Sequence, residues 1–402
     1  MQRRMMKSLS KNIEYLVGSK NFKTTASIPY NKTICEFISV FSKELLMHKR
    51  SSEFSDLKTL GFWCRKQNIL SFKKKFDSEK LRIGIGLVFH ITPSNIPTNF
   101  AYSLLFGLLT GNSNVIKVPS KNFEQIKIIC LIIKKILNKK LFFSLKNFIT
   151  IVRYKDNDEF TKNLSLLCDG RLIWGGDNSV TNIKEFKIKN KSIDIAFTDK
   201  FSFCAIDANN FLKLKKYDLD RLIERFYNDT YLVDQNACSS PHLIIWINDK
   251  SSKARNIFWK NLNSYVEKKY DLPIIASVDK YTKLCEDLIN FKNIKSFQYF
   301  KNLIYIISLS RLDQNMCKLR GKWGYFYEYN TNDLNKISKF IEKNCQTFTY
   351  FGLSKEFFKN FIINNKAKGI DRIVPIGQAL DISLNWDGYD INKILTRIID
   401  IR

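Results

Sequence analysis

From residue 83 onward, short apolar runs alternate with longer stretches in which apolar residues recur every three or four positions. Ile83 to Phe89 reads as a buried strand, Asn99 to Thr110 as a helix, Ser113 to Val118 as a strand, Asn122 to Leu137 as a helix and Phe148 to Val152 as a strand. This alternation predicts an α/β architecture with a parallel sheet covered by helices. It continues with a strand at Leu172-Ile173-Trp174 that ends in Gly175-Gly176, a strand from Phe201 to Ile206 and a helix from Leu219 to Tyr231. A polar turn from Asp234 to Ser240 precedes a strand from His242 to Ile247. Ile257, Phe258, Leu262, Tyr265 and Val266 have helical spacing, Leu303 to Ser308 is strand-like, and Asp333 to Lys343 reads as a helix. Ahead of this series, residues 1 to about 80 carry helix-like spacing, as at Ile34, Phe37, Ile38, Phe41, Leu45 and Leu46. No repeat of fixed period is present, so a solenoid is not expected.

The chain has 402 residues, more than one compact domain usually holds, and two or three cores are expected. Apolar residues make up 45% and aromatics 14%, which supplies large cores and excludes a mostly disordered chain. A net charge of +28 raises a nucleic-acid or anionic-membrane partner. Lysine, however, is interleaved with Asn, Ile and Phe, as in Lys189-Asn190-Lys191 and Phe358-Lys359-Asn360, and forms no long block. We read the charge as a compositional bias, with no nucleic-acid partner; a basic rim beside a phosphate-bearing ligand fits it equally well.

The nine cysteines form no CxxC pair and do not cluster with His48, His90 and His242, so zinc-finger and redox-dithiol readings fail. Reduced cysteines packed in cores are expected, at most one of them reactive. Ser8 to Asn12 interrupt the basic start Met1 to Lys7, and no signal peptide is assigned. The apolar stretches Phe89 to Leu109 and Ile126 to Leu137 are broken by Pro93, Asn95, Pro97 and Asn99, and by Lys134-Lys135. No membrane span and a cytoplasmic location are therefore expected.

Candidate chemistry begins at the Pro-bounded loop Thr92-Pro-Ser-Asn-Ile-Pro97, which follows a strand and holds the amide Asn95, and at Lys117-Val-Pro-Ser120 after the next strand. Loops at the carboxyl ends of parallel strands are where open α/β sheets bind ligands. Read alone, Asn95 is a turn or cap residue sooner than a site. Together with Leu172-Ile-Trp-Gly-Gly-Asp-Asn-Ser179, Asp234-Gln-Asn-Ala-Cys-Ser-Ser-Pro241, Gln346-Thr-Phe-Thr-Tyr-Phe-Gly352, Asp371-Arg-Ile-Val-Pro-Ile-Gly-Gln-Ala-Leu380 and Asn385-Trp-Asp-Gly-Tyr389, these segments resemble the aldehyde dehydrogenase superfamily. Within it they are similar to the acyl-CoA reductase branch of bacterial bioluminescence (LuxC), from about residue 80 to the end.

The resemblance implies an aldehyde-dehydrogenase-like fold: a Rossmann-type dinucleotide-binding domain over residues 1–205 with a helical lead-in, an α/β catalytic domain over 206–370, and a C-terminal segment, 371–402, that closes the site. It places the nucleophile at Cys238, in a polar turn whose backbone N–H groups can lower a thiol pKa and support an oxyanion. Asn95 matches the side-chain oxyanion donor. Lys117 matches the lysine that touches the adenosine ribose, with Val118 as an extra residue. Where NAD-preferring members carry a glutamate, Lys121 follows Ser120; Ser120 and Lys121 are assigned to the cofactor, and a cation there favours the 2′-phosphate of NADPH. Gly175 and Gly176 match the turn that approaches the dinucleotide. His242 invites a Cys-His dyad, but a strand beginning at Pro241 turns the two side chains apart, which favours packing.

Hydrolytic members carry a Glu-Leu-Gly-Gly-Lys motif whose glutamate activates water; with its lysine aligned on Lys200, Ala196 occupies the glutamate position. The implied activity is NADPH-dependent reduction of a long-chain acyl thioester to the aldehyde through a Cys238 thioacyl-enzyme. The donor is acyl-CoA or an acylated partner protein, with an acyl-protein synthetase as a partner and a homo-oligomer as the assembly. No metal is called for. A hydrolytic aldehyde dehydrogenase, with a base supplied by Asp194 or Asp199, and a basic nucleic-acid-binding protein are the alternatives.

Overall fold

The structure, a computed structural model, describes residues 13–76, 80–155, 158–313 and 316–402; Met1 to Asn12, where the absence of a signal peptide was read, lie outside them. Two units result, one of Met1–Thr198 with Tyr389–Arg402 and one of Asp199–Gly388.

In the first unit, strands β1 (Glu14–Val17), β3 (Leu87–Ile91), β4 (Ser113–Val118), β5 (Ile149–Arg153), β6 (Gly170–Trp174) and β7 (Ile193–Phe197) form a sheet in the order β1-β5-β4-β3-β6-β7. All neighbours are parallel except β1, which closes the edge antiparallel to β5. The chain runs outward from β3 through β4 to β5, then returns to the other side of β3 with β6, so a topological switch lies between β3 and β6. The helix Asn99–Leu109 is buried along its whole length, which is why its sequence lacks a polar face. The helix Lys32–Met47 starts where Asn31 accepts the Thr33 N–H at 2.9 Å, and it buries Ile34, Phe37, Ile38, Phe41 and Leu45.

The strand expected over Ile83 to Phe89 is two strands. Gly86 sits at φ +134°, where a Cβ would run into the Asp169 carboxylate. The turn there sends β2 (Arg82–Gly84) to pair with the C-terminal strand Thr396–Ile398 and leaves β3 in the main sheet. The helical lead-in likewise gives way at Glu14–Val17, where the chain is β1.

The second unit holds β8 (Phe201–Asp207), β9 (Pro241–Ile247), β10 (Ile294–Phe300), β11 (Ile304–Leu309), β12 (Tyr325–Thr331), β13 (Cys345–Phe351) and β14 (Arg372–Pro375), in the order β10-β11-β12-β9-β8-β13-β14. Only β10 is antiparallel to its neighbour. Alternate residues feed two cores: Phe203, Ala205, Leu243 and Ile245 on one face, and Cys204, Ile206, Ile244 and Trp246 on the other. Because β8 is bonded to both β9 and β13, the division falls at 198/199 instead of 205/206. The segment 371–402 divides as well, 371–388 with the second unit and 389–402 with the first. The helix expected over Asp333 to Lys343 is a 3₁₀ stretch, Leu334–Phe340, whose buried Leu334 and Ile337 lie three apart as that geometry requires. Among the described residues, no helix is long and apolar enough to cross a membrane.

Candidate active site

In the first unit, the loops after β3, β4 and β6 leave the same, carboxyl edge of the sheet from adjacent strands. Asn95 lies in the loop after β3, Lys117 near the end of β4, Ser120 and Lys121 just beyond it, and Gly175 and Gly176 after β6. The crevice at the switch between β3 and β6 is where a doubly wound sheet receives a dinucleotide. Asn95 is exposed and has no hydrogen-bond partner among the described residues. Lys117 Nζ lies 4.7 Å from the Tyr154 ring centre, and the exposed Lys121 Nζ lies 5.2 Å from that of Phe123. Gly176 precedes the helix Asp177–Glu185, and the Gly175 N–H donates to Phe197 O at 3.1 Å. The glycines permit close approach, and the first helical turn supplies N–H groups suited to phosphate, but it also carries Asp177.

In the second unit, Cys238 sits at the opposite kind of edge, where the parallel strands begin. Its turn is held from every side. The helix Lys216–Thr230 and a 3₁₀ turn end at Asp234 and Gln235, both in the left-handed region. Gln235 spends its whole amide on neighbouring backbone: Nε2 donates to Pro241 O and Tyr325 O at 3.1 and 3.2 Å, and Oε1 accepts from the Gly324 and Tyr325 N–H groups, both at 3.2 Å. Ser202 Oγ donates to Cys238 O at 2.6 Å and accepts the Thr347 N–H at 3.1 Å. Ser240 Oγ donates to Asp229 O at 2.7 Å, and the Asp229 carboxylate accepts the Gly377 and Ala379 N–H groups at 2.6 and 2.9 Å. Burial pushes Asp229 up to about 7.

The Cys238 side chain is half-buried. Burial raises its thiol pKa, the Lys200 backbone N–H lowers it by hydrogen bonding, Asp387 and Asp199 raise it, and Arg320 lowers it. Desolvation dominates, so the expected activation by the turn's own N–H groups is not what the thiol experiences. The N–H that reaches it comes from Lys200, ahead of β8. Arg320 in turn donates to Lys200 O, and Lys200 Nζ binds Lys343 O at 3.0 Å and Asp371 at 3.1 Å. Arg320→Met should therefore raise the thiol pKa further. We expect the pH profile of Cys238 alkylation by iodoacetamide, read by peptide mass spectrometry, to move to higher pH, and an unchanged profile would show that Arg320 does not act on the thiol.

Within the second unit, the resembling segments around Gln346, Asp371 and Asp387 are tied to one another and to Lys200. Gln346 donates to Asp387, which burial pushes up to about 6. Asp371 holds Lys200, while Arg372 lies 4.4 Å from the Trp386 ring centre and donates to the carbonyls of Gln378, Ala379 and Asp381. Lys200, Ser202, Arg320 and Asp387 were not assigned from sequence, because each acts through a partner distant in the chain; only the register on Lys200 pointed toward one of them.

Cys238 also lines a cavity of about 350 Å³ with Gln235, His242, Lys280, Arg320 and Trp323 among its walls. His242 does not form a dyad with Cys238. It is buried, accepts the Gly321 N–H on Nδ1 at 3.3 Å, stacks on Phe201, and is held neutral, with burial pushing it down to about 3. Lys280 stiffens the far wall by donating to Asn302 O and Trp323 O at 2.6 and 2.8 Å. The cysteines are less uniform than expected: Cys285 is exposed, and Cys35 and Cys317 are half-buried like Cys238. Among the described residues no cluster of His, Cys, Asp and Glu could hold a metal ion.

Comparison with known proteins follows the same lines. Residues 12–303 match the family described as acyl-CoA reductase (LuxC). The long-chain acyl-protein thioester reductase of Vibrio harveyi is 24% identical over 326 residues, covering 78% of this chain and 63% of that protein, so the chain spans less than two thirds of its relative. Among solved structures, aldehyde dehydrogenase 21 from Physcomitrella patens, in complex with succinate, aligns with a TM-score of 0.64 at 13% identity over 94% of this chain and 87% of that one. Betaine aldehyde dehydrogenase from Staphylococcus aureus, in complex with NAD+, aligns at 0.58 and 15% over 86% and 74%. These likenesses establish the aldehyde dehydrogenase fold.

Proposed function

The chain belongs to the acyl-CoA reductase (LuxC) family, whose pattern it carries over residues 12–303, and from that premise we propose that it reduces a long-chain acyl thioester to the aldehyde through an acyl group carried on Cys238. The observation that carries the reading is Cys238 itself, lining a cavity of about 350 Å³ with its turn pinned by Gln235 and Ser202. The Cys238 thiolate attacks the thioester carbonyl; the S–C bond to the enzyme forms, and the bond to the donor thiol breaks, releasing that thiol. The Lys200 N–H and the positive charge of Arg320 favour sulfur as thiolate, both before attack and when the aldehyde leaves. Asn95 is assigned the oxyanion on its motif.

The residues at the carboxyl ends of β4 and β6 suit a dinucleotide: glycines after β6 that allow close approach, a helix start for phosphate, and the cations Lys117 and Lys121 at and after β4 for a ribose bearing a 2′-phosphate. When bound there, NADPH supplies the hydride that converts the thioacyl carbon to the aldehyde level. The name of the Vibrio harveyi relative favours an acylated protein as donor beside acyl-CoA, with an acyl-protein synthetase as the enzyme that loads it and a homo-oligomer as the working assembly. The test is mass spectrometry of the intact protein after exposure to acyl-CoAs of graded length without reductant: one acyl group should be added, on Cys238. NADPH should then release aldehyde faster than NADH, and Lys121→Glu should narrow the gap. No acyl adduct, or a strong preference for NADH, would overturn the corresponding half of the reading.

A further inference from the structure

Two thiols far apart in the sequence meet beside the Cys238 turn. Cys317, in the 3₁₀ turn Met316–Lys318, and Cys345, the first residue of β13, bring their sulfurs to 3.9 Å across 28 positions of chain. Cys317 is half-buried and Cys345 is fully buried. Cys317 donates to Asn344 Oδ1 at 2.9 Å. A disulfide has an S–S length of about 2.05 Å, so closure needs a movement of roughly 2 Å. The Cys345 backbone is fixed in the sheet, in register with Phe201 of the interior strand β8 and with its carbonyl accepting the Ile370 N–H at 2.9 Å. Whatever part of the closure is not supplied by rotation of the two side chains therefore falls on the Met316–Lys318 turn.

That turn leads directly into Arg320, which holds Lys200 O. The strand on the other side of the pair supplies Thr347, whose N–H binds Ser202, the residue that holds Cys238 O. The pair thus lies between Arg320, which bonds the Lys200 backbone, and Thr347, which bonds Ser202, one of the residues that hold the Cys238 turn. We propose that Cys317 and Cys345 are a reversible disulfide site, closed by exchange with a low-molecular-weight disulfide such as glutathione disulfide, and that closure slows the reaction of Cys238. Cys317 is the entry point, being the accessible partner and the one whose pKa is lowered, chiefly by the hydrogen bond from Cys345; that same hydrogen bond, with burial, keeps Cys345 protonated. The Cys317 thiolate attacks one sulfur of glutathione disulfide and expels one glutathione. Cys345 then attacks the Cys317 sulfur, expelling the second. Two protein thiols are oxidised, one disulfide is reduced, and the two protons end on the two released thiols. A sequence scan for CxxC spacing passes over such a pair, because the fold and not the local chain brings it together.

The second half of the proposal rests on the reading of Cys238 as the reactive cysteine, so the test reads Cys238 without substrate. The reduced full-length protein is incubated with glutathione disulfide, digested without reductant, and pulsed in parallel with iodoacetamide. A linked peptide joining Cys317 to Cys345 is expected, with loss of two hydrogens from the intact mass. Alkylation of Cys238 should slow several-fold, with full recovery after dithiothreitol. Cys317→Ser should form no link and should keep the reduced rate at Cys238 in glutathione disulfide. A stable mixed disulfide on Cys317 without the link, a link that leaves Cys238 alkylation unchanged, or equal slowing in Cys317→Ser would each overturn the proposal. Acylation of the reduced protein by acyl-CoA, measured separately, distinguishes this failure from failure of the proposed function.

Discussion

Cys238→Ala is expected to lose acyl-enzyme formation and aldehyde production together, by at least about a thousandfold, since no other group would supply the covalent step. The fold should survive. The side chain removed is small and half-buried, and the turn is held by backbone contacts from Ser202 and Gln235 that the substitution leaves in place. A change in stability of about 1 kcal/mol or less, seen as a nearly unchanged thermal midpoint, is the corresponding expectation. Dinucleotide binding should also persist, because its candidate residues belong to the first unit. The exposed Cys285 is the natural competitor for acylation in solution. Cys285→Ala should therefore keep activity, and an acyl adduct that persists in Cys238→Ala but vanishes in Cys285→Ala would reassign the nucleophile.

What the sequence made legible follows from how local each determinant is. Ser113–Val118 was bounded to the residue because the β-branched Val115, Ile116 and Val118 lie between turn residues, Gly111-Asn112 before them and Pro119 after. The two-strand break at Gly86 was not, because it depends on Asp169, which accepts the Leu87 N–H at 2.8 Å from far along the chain. Cys238 stood out as the candidate nucleophile through its motif, whereas its surroundings were not legible. The groups that lower its pKa, the Lys200 N–H and Arg320, lie far from it in the chain, and neither neighbourhood carries a local pattern. The thiol also corrects a general expectation: a polar turn is not a polar environment once Gln235, Ser239 and Ser240 are buried around it, and desolvation then outweighs the donors.

The thioacyl form of Cys238, made without NADPH, should hydrolyse slowly, on a scale much longer than one reductive turnover. Water attacks a thioester readily only when a base takes its proton, and the position that resembles the water-activating glutamate of hydrolytic relatives is Ala196, on β7. Asp194, the nearby substitute, is committed. Both of its oxygens bind the guanidinium of the buried Arg171, at 2.7 and 2.6 Å, a bidentate pair that fixes where the carboxylate points. Ala196→Glu should accordingly speed deacylation to free fatty acid, by about a hundredfold where geometry permits, and should lower the yield of aldehyde per acyl group loaded. The measurement is a chase of acyl-enzyme loaded from labelled acyl-CoA, followed by intact mass with and without NADPH. Rapid release of fatty acid by the unmodified protein would mean that another group, with Asp199 the first to test, supplies the base and that hydrolysis belongs to its native chemistry.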